Sequence, residues 1–341
     1  METLIKKPTK TSIEKACDLI KNGDVVAVPT ETVYGLAADC KNPEAIKKIF
    51  EAKGRPMDNP LIVHISNLNQ LNGIVQDFNK DAETLSKKFW PGPLTIIMPK
   101  GEAVCNETCA GLDSVGVRMP ANKIAHEIIE KSNTPFAAPS ANRSGKPSPT
   151  SAEDVFQDMC GRIPLIIDGG QCSAGVESTV ISVLEKTPVI LRPGVITKEM
   201  IESTLNKEVK LSKGITEEVK SEEKVLSPGM KYKHYAPNAD ITIVRGKLQN
   251  FIKYVNKNTF LDKNIYILCF DGEEKYFKLP AITYGKKDDP PSQAKNLFSA
   301  LRKLDSLGAS AAFARCPEQS GISLAVYNRL LRSAGFKVID V

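Results

Sequence analysis

The sequence lacks the features that mark membrane-spanning, disulfide-stabilised and zinc-binding proteins. Its 341 residues contain no uninterrupted apolar run close to the roughly 20 residues that cross a bilayer. Residues 1–10 are polar and lysine-rich, without the apolar segment of a secretory signal, so we expect a cytoplasmic protein. The eight cysteines are scattered and form no Cys-x-x-Cys pair, which is typical of reduced thiols and argues against a disulfide framework or a protein-bound metal.

Aromatic residues are also scarce, at 6%, and the net charge is a mild +6. A sheet surface that binds single-stranded RNA needs aromatic side chains on which bases can stack, and none cluster on the predicted strands. The charge suits an anionic ligand such as a nucleotide and is compatible with direct contact to tRNA without requiring it. Ordinary solubility explains the same charge equally well.

Three nucleotide-binding and catalytic patterns are missing. The chain has no Gly-x-x-x-x-Gly-Lys-Ser/Thr phosphate loop, and no Gly-x-Gly-x-x-Gly follows the first strand of the C-terminal part. No Ser-His-Asp or Cys-His arrangement stands out. A phosphate site would therefore be built from scattered cations and backbone amides, and the candidates are Lys53, Arg55, Arg118, Arg143, Lys146 and Arg192.

The length predicts two domains, and the first two thirds of the chain alternate helix and strand patterns. A capping-box pattern at Thr11–Glu14 predicts a helix that ends near Gly23. Further helices are predicted at 42–52, 122–131 and 151–159, and strands at 61–65, 94–98, 115–119, 136–138, 165–167, 179–183 and 189–191. So many strands in one unit predict an α/β domain with a large mixed sheet and helices packed on it, over residues 1–206.

Residues 207–238 break this pattern and predict an ordered linker. They are rich in Lys and Glu and end in Tyr232-Lys233-His234-Tyr235, which is typical of a segment that contacts a surface; a solvated linker with chance aromatics is the alternative. Residues 239–341 then predict a small α/β domain. Its strands are predicted at 241–244, 265–269, 311–314 and 337–340, and its helices at 248–256, 292–307 and 322–333.

Polar residues follow the predicted strands of the first domain at several points. Pro29–Leu36, which contains Thr32, comes directly after the apolar run Val25–Val28. Loops that a rigid sheet holds at its strand ends are where ligand-contacting groups concentrate. Similar polar segments are 53–56, 139–145 and 177–179.

The charged candidates each admit a structural interpretation. Lys53 and Arg55 combine a point charge with a two-pronged donor for a polyphosphate, or they complement a helix dipole. His64 is either a ligand-contacting imidazole or a satisfied structural histidine. Arg118 lies in an apolar strand and needs an anion, which is an internal carboxylate or a ligand carboxylate. Ser140 and Asn142 supply oriented donors among small residues, or they cap a turn.

Taken together, these segments resemble the YrdC family and specifically its two-domain members, the threonylcarbamoyl-AMP synthases. The ordered match spans essentially the whole chain. The matching segments are 28–36, 53–56, 59–61, 90–95, 117–120, 139–142, 177–180, 191–194, 227–230 and 234–237.

The resemblance implies a twisted open mixed sheet with helices packed on it, plus a small Rossmann-like C-terminal domain. It implies that L-threonine, bicarbonate or CO2, and ATP with its Mg2+ give threonylcarbamoyl-AMP and pyrophosphate. The product is then passed to the machinery that modifies the tRNA adenosine next to the anticodon.

The resemblance also implies roles for individual residues. The residues that would hold threonine are Thr32, His64, Arg118, Ala138 and Ser178. Those that would surround ATP are Lys53, Arg55, Asn59, Ser114, Ser140, Asn142, Ser148 and Arg192. Lys53, Arg55, Ser140 and Asn142 match the catalytic four-residue motif, and Tyr232, His234 and Tyr235 would close over the cleft as a lid.

Three other functions stay open at this point. One is an RNA-binding module without chemistry, and another is a nucleotide-binding regulator. The third is a hydrogenase-maturation carbamoyltransferase, which contains a similar domain, but the cysteine pattern of its zinc-finger-like segments is missing here.

Overall fold

The structure is a computed structural model that describes residues 1–217, 235–258 and 264–341. These residues divide into two units. The first unit contains residues 1–144 and 148–215, and the second contains 145–147, 216–217 and the described residues from 235 onward. Within the described ranges, no helix is both long and apolar enough to cross a membrane. The domain boundaries at 206 and 238 stay a prediction, because most of the predicted linker lies outside the described residues.

The first unit alternates strands and helices along the chain. Its strands are β1 (Leu4–Lys6), β2 (Val26–Val28), β3 (Gly35–Asp39), β4 (Ile62–His64), β5 (Leu94–Pro99), β6 (Ser114–Arg118), β7 (Phe136–Ala137), β8 (Leu165–Ile167), β9 (Thr179–Ser182), β10 (Val189–Arg192) and β11 (Lys210–Leu211). Its helices are α1 (Lys10–Lys21), α2 (Pro43–Lys53), α3 (Lys80–Phe89), α4 (Asn106–Cys109), α5 (Lys123–Ser132), α6 (Ala152–Met159) and α7 (Lys198–Leu205).

The eleven strands form one mixed sheet in the order β1-β8-β2-β3-β7-β4-β6-β5-β9-β10-β11. Strand pairs such as β4 with β6 are parallel, whereas β5 with β6 and β9 with β10 are antiparallel. The mixed sheet with packed helices confirms the predicted fold class. It also brings the ends of β4, β6, β9 and β10, which are far apart in sequence, into one region.

Helices α1 and α5 cover one end of the sheet. Residues at helical spacing on α1, such as Ile13 and Ile20, pack with Ile128 of α5 and with Phe136 of β7 in one buried cluster. Phe136 pairs with His64 across β7 and β4, and their rings stack with centroids 5.5 Å apart. The helix-covered core therefore ends beside His64, where polar residues begin.

The second unit contains a five-stranded, all-parallel sheet in the order β14-β13-β15-β12-β16. Its strands are β12 (Asp240–Arg245), β13 (Ile265–Cys269), β14 (Ala281–Thr283), β15 (Ala311–Arg315) and β16 (Val338–Asp340). Its helices are α8 (Leu248–Asn258), α9 (Pro290–Ser306) and α10 (Gly321–Ser333). This arrangement is compatible with the small Rossmann-like domain that the resemblance implies.

Two local predictions are wrong. The capping box at the start of α1 is formed by Thr9 with Ser12, not by Thr11 with Glu14, so the helix begins earlier. The segment after β2 is not a loop as far as Leu36, because Gly35–Asp39 forms strand β3. Small residues with weak strand propensity adopt this conformation because they pair with β2 on one side and β7 on the other.

Candidate functional site

The candidate site begins at the end of β6, where Arg118 is buried at 4% exposure. Its guanidinium is held on three sides. Nε donates to the carbonyl oxygen of Gly92 at 3.3 Å, and Nη1 donates to Oγ1 of Thr32 at 2.8 Å. Nη2 lies 2.5 Å from Oε1 of Glu31. The sequence left an internal carboxylate or a ligand carboxylate as the anion for Arg118. The structure supplies an internal one, Glu31, in the polar segment that follows β2.

The Glu31–Arg118 pair sets the charge of the site. Burial raises the pKa of the Glu31 carboxyl, but the Arg118 guanidinium outweighs burial and holds that pKa below its usual value. The contact is a short charge-assisted ion pair that uses one of the two Nη2 protons and leaves the other N–H for a polar ligand.

His64 is the neighbour of Arg118 across β4 and β6. Burial first, and then the Arg118 charge, lower the pKa of the His64 imidazole to about 3. The ring is therefore neutral at physiological pH. Because Nδ1 lies 3.0 Å from the carbonyl oxygen of Ile62, it carries the proton and donates, which leaves Nε2 as an acceptor.

The sheet face that carries Arg118 is apolar around Gly116, which has no side chain. Alternation along β6 puts Ser114, Gly116 and Arg118 on the same face. A Cβ atom at Gly116 would lie 3.1 Å from the Thr95 methyl group, so a larger residue would crowd this face. Four buried residues, Ile62, Ile97, Val180 and Leu191, form the apolar cluster around it.

A second arginine is anchored at the end of β10. Arg192 donates from Nε to the carbonyl oxygen of Ser178 and from Nη2 to Ser178 Oγ, both at 3.1 Å. Ser178 Oγ also lies 2.8 Å from Oγ1 of Thr95, which is fully buried on β5. Thr95 therefore connects the Ser178 and Arg192 group with the face that carries Arg118.

The C-terminus of α2 supplies the lysine of the site. Gly54 caps this helix in the left-handed conformation at φ +60°, which a residue without Cβ adopts freely. Lys53 is buried and donates from Nζ to the carbonyl oxygens of Ser140 and, at 2.7 Å, of Asn142. The Ser140 hydroxyl donates to Asn142 Oδ1 at 2.5 Å. The structure thus brings together Lys53, Ser140 and Asn142, whose sequence positions are almost 90 residues apart.

Arg55 and Asn59 lie just beyond this group. Arg55 stacks over the Phe50 ring at 5.8 Å and donates to the Asn59 carbonyl oxygen at 3.4 Å. The Asn59 side chain is 1% exposed, yet neither of its amide atoms has a hydrogen-bond partner among the described residues. Buried amides are normally satisfied, so the Asn59 side chain is available to a partner other than the described residues.

Of the three remaining predicted residues, Ala138 and Ser148 contact other segments of the site, whereas Ser114 lies further away. Ala138 donates its backbone N–H to the Ile62 carbonyl oxygen at 2.9 Å, next to His64. Ser148 is buried and its hydroxyl donates to the Glu177 carboxylate, one residue before Ser178. Ser114 shares the face of Arg118 but lies at the opposite end of β6, about 13 Å away at the usual strand rise.

The predicted lid residues are described only in part. Tyr232 and His234 lie outside the described residues. Tyr235 is buried in the second unit, where its ring packs 5.2 Å from the Phe298 ring and 6.0 Å from the Arg329 guanidinium. The lid role of these three residues stays a prediction.

Sequence reasoning missed four polar residues that contact the predicted ones: Thr30, Glu31, Thr95 and Glu177. Thr30, Glu31 and Glu177 stand beside predicted residues in the same segments. Only the pairing of distant strands reveals their partners, since Glu31 and Arg118 are 87 residues apart in sequence.

Comparisons with known proteins show the family of this chain. The Sua5_yciO_yrdC family model, described as "Telomere recombination", matches residues 18–194. The model for the "Threonylcarbamoyl-AMP synthase, C-terminal domain" matches residues 196–335. The chain is similar to the threonylcarbamoyl-AMP synthase of Pyrococcus abyssi, with 43% identity over 96% of each chain. It is also similar to that of Bacillus subtilis, with 43% identity over 96% of this chain and 94% of the relative.

A solved structure of one of these relatives is also similar to this chain. The crystal structure of P. abyssi Sua5 complexed with L-threonine superposes with a TM-score of 0.92 at 42% identity. It covers 100% of this chain, which covers 99% of that structure. Sequence and fold are therefore similar to those of the same relatives across both units.

Proposed function

The chain belongs to the two-domain threonylcarbamoyl-AMP synthase family, and on that premise we propose how its residues perform the reaction. The protein is a nucleotidyltransferase that makes L-threonylcarbamoyl-AMP from L-threonine and ATP and releases pyrophosphate. The observation that carries this function is the 43% identity over 96% of both chains, which includes every segment of the candidate site.

The carbon source and the fate of the product are part of the proposal. Bicarbonate or CO2 supplies the carbamoyl carbon. The product is handed to the enzymes that modify the adenosine next to the anticodon in tRNA, and the reaction takes place in the cytoplasm. The mild net charge of +6 is compatible with direct tRNA contact, but the chemistry does not require it.

Threonine binds around Arg118. The guanidinium pairs with the substrate carboxylate, for which Arg118 has hydrogen-bonding capacity left on Nη2. Thr32, His64, Ala138 and Ser178 complete this end of the site. His64 is neutral, so it adds no second positive charge and offers an acceptor nitrogen to a substrate N–H or O–H.

ATP binds beyond threonine, along the groups that carry Lys53 and Arg192. Lys53, Arg55 and Arg192 neutralise the phosphates, and Asn59 receives the partner that its buried amide lacks. Ser140, Asn142, Ser148 and Ser114 provide further polar contacts. No group of three or more His, Cys, Asp or Glu residues is placed to hold a metal in the described ranges, so we propose that Mg2+ arrives coordinated to ATP as part of the substrate.

The chemistry follows from this placement. The neutral amine of threonine adds to CO2, releases one proton to solvent and gives a carbamate. A carbamate oxygen attacks the α-phosphorus of ATP, and the bond to the β-phosphate oxygen breaks with release of pyrophosphate. The protein contributes orientation and fixed positive charge where negative charge develops, which accounts for large rate enhancements without a strong protein base.

The proposal is tested by pyrophosphate release from ATP with purified protein, with threonine and bicarbonate each omitted in turn. We expect release that requires both co-substrates. Pyrophosphate release without threonine would contradict the proposal, as would the absence of release with all three substrates present.

A further inference from the structure

Thr30 is a buried threonine that stands just before Glu31 and Thr32 and to which the resemblance gives no role. Its side chain is 3% exposed. Oγ1 donates to the Val33 carbonyl oxygen at 2.6 Å. The same oxygen accepts from the backbone N–H groups of Thr32 and Val33 at 3.2 and 3.3 Å. Thr30 thus fixes the conformation of the loop that carries two of the three Arg118 contacts, Glu31 and Thr32.

These contacts define the direction of a short hydrogen-bond chain. The hydroxyl oxygens of Thr30 and Thr32 are 2.8 Å apart. A hydroxyl has one proton, and the Thr30 proton is used by the Val33 carbonyl, which can only accept. The two backbone N–H groups approach Thr30 Oγ1 at the longer distances of 3.2 and 3.3 Å and share one of its two lone pairs. The other lone pair faces the Thr32 hydroxyl, so Thr32 is the donor to Thr30. Since Arg118 donates to Thr32 at 2.8 Å, the chain runs from Arg118 to Thr32 to Thr30 to the Val33 carbonyl oxygen.

The direction of this hydrogen-bond chain limits the kind of hydrogen bond that Thr32 can form with a substrate. Its proton is donated to Thr30 and one lone pair accepts from Arg118, so only a second lone pair is left. A substrate N–H or O–H can use that lone pair, whereas a carboxylate cannot. The carboxylate is therefore directed to the Arg118 guanidinium, and a hydrogen donor of the amino acid is directed to Thr32.

We propose that Thr30 is a positioning residue for the amino-acid substrate: it fixes the Thr32 hydroxyl as an acceptor and, through it, the orientation of Arg118. This inference rests on the proposed function, because it assigns the threonine end of the site. Thr30 itself does not contact the substrate.

The test compares Thr30→Val with Thr30→Ser. Valine has the shape of threonine without the hydroxyl, whereas serine keeps the Oγ atom. Losing one hydrogen bond in a charged chain corresponds to a change of about tenfold in affinity. We expect Thr30→Val to raise the threonine KM and the threonine Kd by about that factor, with an ATP KM close to the wild-type value. Thr30→Ser should restore threonine binding.

Thr108→Val is the matched control. Thr108 is fully buried in the same unit, and its hydroxyl donates to the Cys40 carbonyl oxygen at 3.0 Å. The same substitution there removes a comparable hydrogen bond outside the chain to Arg118. An unchanged threonine KM in Thr30→Val would overturn the proposal, as would an equal rise in Thr108→Val. If Thr30→Val does not fold, Thr30→Cys, which keeps only a weak donor, should have a higher threonine KM than Thr30→Ser, and equal values in the two variants would overturn the proposal.

A double-mutant cycle separates positioning from general damage. If Thr30 acts through Thr32, adding Thr30→Val to Thr32→Val should cause no further loss of threonine affinity. Additive losses would contradict the inference. Failure of the proposed function is distinguishable, because wild-type protein would then show no threonine binding or threonine-dependent pyrophosphate release at all.

Discussion

Arg118 and Glu31 form a buried ion pair, with Nη2 2.5 Å from Oε1 and side-chain exposures of 4% and 13%. A buried guanidinium without a counter-charge would be costly. Glu31 supplies that charge inside the protein, two further N–H groups of Arg118 donate to Gly92 and Thr32, and two of the five guanidinium N–H groups are left over. The same guanidinium can therefore be stable in the folded protein and available to a substrate carboxylate.

Replacing Glu31 with Gln should destabilise the protein. The change leaves Arg118 buried without a full counter-charge, which typically costs about 3 kcal/mol in the free energy of unfolding. Urea denaturation at pH 7 measures this difference. The control is Glu127→Gln, which breaks an exposed pair with Lys131 and should change the free energy of unfolding far less than Glu31→Gln does. Equal effects of the two substitutions would contradict the importance of burial.

The stabilising effect of Glu31 should depend on pH. Burial raises its folded-state pKa, but the charge and hydrogen bond of Arg118, together with backbone N–H groups, lower it by more, so the unfolded chain binds the proton more readily. The contribution is present above the unfolded pKa of about 4.3 and is lost as the pH falls through the lower folded pKa. The difference in unfolding free energy between wild type and Glu31→Gln should therefore shrink below about pH 4.3. A constant difference down to pH 3 would rule out this linkage.

His64 should stay neutral throughout the physiological range. Burial and the Arg118 charge lower its pKa to about 3, so its imidazole NMR signals should not shift between about pH 5.5 and 8. The signals are assigned by their disappearance in His64→Gln. Because the unfolded histidine takes up its proton near pH 6.5, the His64 contribution to stability is complete above that pH and declines below it. A His64 titration midpoint near pH 6.5 would contradict the account.

Replacing Lys53 with Met should lower the rate of pyrophosphate release strongly. Met keeps most of the apolar stem but removes the charge that we propose for the ATP phosphates, and loss of one such group costs about 100-fold or more in kcat. Lys131→Met, on the exposed side of α5, should leave the rate unchanged. A Lys53→Met enzyme with wild-type kcat would remove Lys53 from the proposed role.

Asn59→Leu should separate stability from ATP binding. Both amide atoms of Asn59 are buried without a partner among the described residues, which typically costs about 1 kcal/mol or more. Leucine avoids that cost, so thermal unfolding should occur at an equal or higher temperature while the ATP KM rises. Lower stability together with an unchanged ATP KM would show that Asn59 has a structural partner instead.

Much of the fold could be predicted from local patterns. The predicted strands and helices lie within about two residues of the observed ones, because alternation and helical spacing are set by burial on one face. His64 is an example: alternation placed it on the face with Ile62, and the pairing of β4 with β6 puts His64 beside Arg118 and Ile62 beside Gly116. The C-terminal α/β domain was also predictable, because strand and helix patterns alternate along residues 239–341.

The failures have physical causes that local patterns do not contain. Strand β3 is held by its two neighbours and not by its own propensity. Helix α3, which no local pattern predicted, presents Leu85 and Phe89 inward among charged residues. The Glu31–Arg118 pair and the contact of Thr95 with Ser178 depend on strand order, which a single sequence leaves open.

The most direct test of the account is to identify the product of the wild-type enzyme and of Arg118→Ala. Carbon-labelled threonine and bicarbonate are supplied in separate reactions with ATP, and AMP-containing species are separated by chromatography. The account predicts that both labels enter one adenylate in wild type, and that Arg118→Ala forms it only at much higher threonine concentrations. An adenylate that contains only one label, or an unchanged threonine requirement in Arg118→Ala, would contradict the central claim.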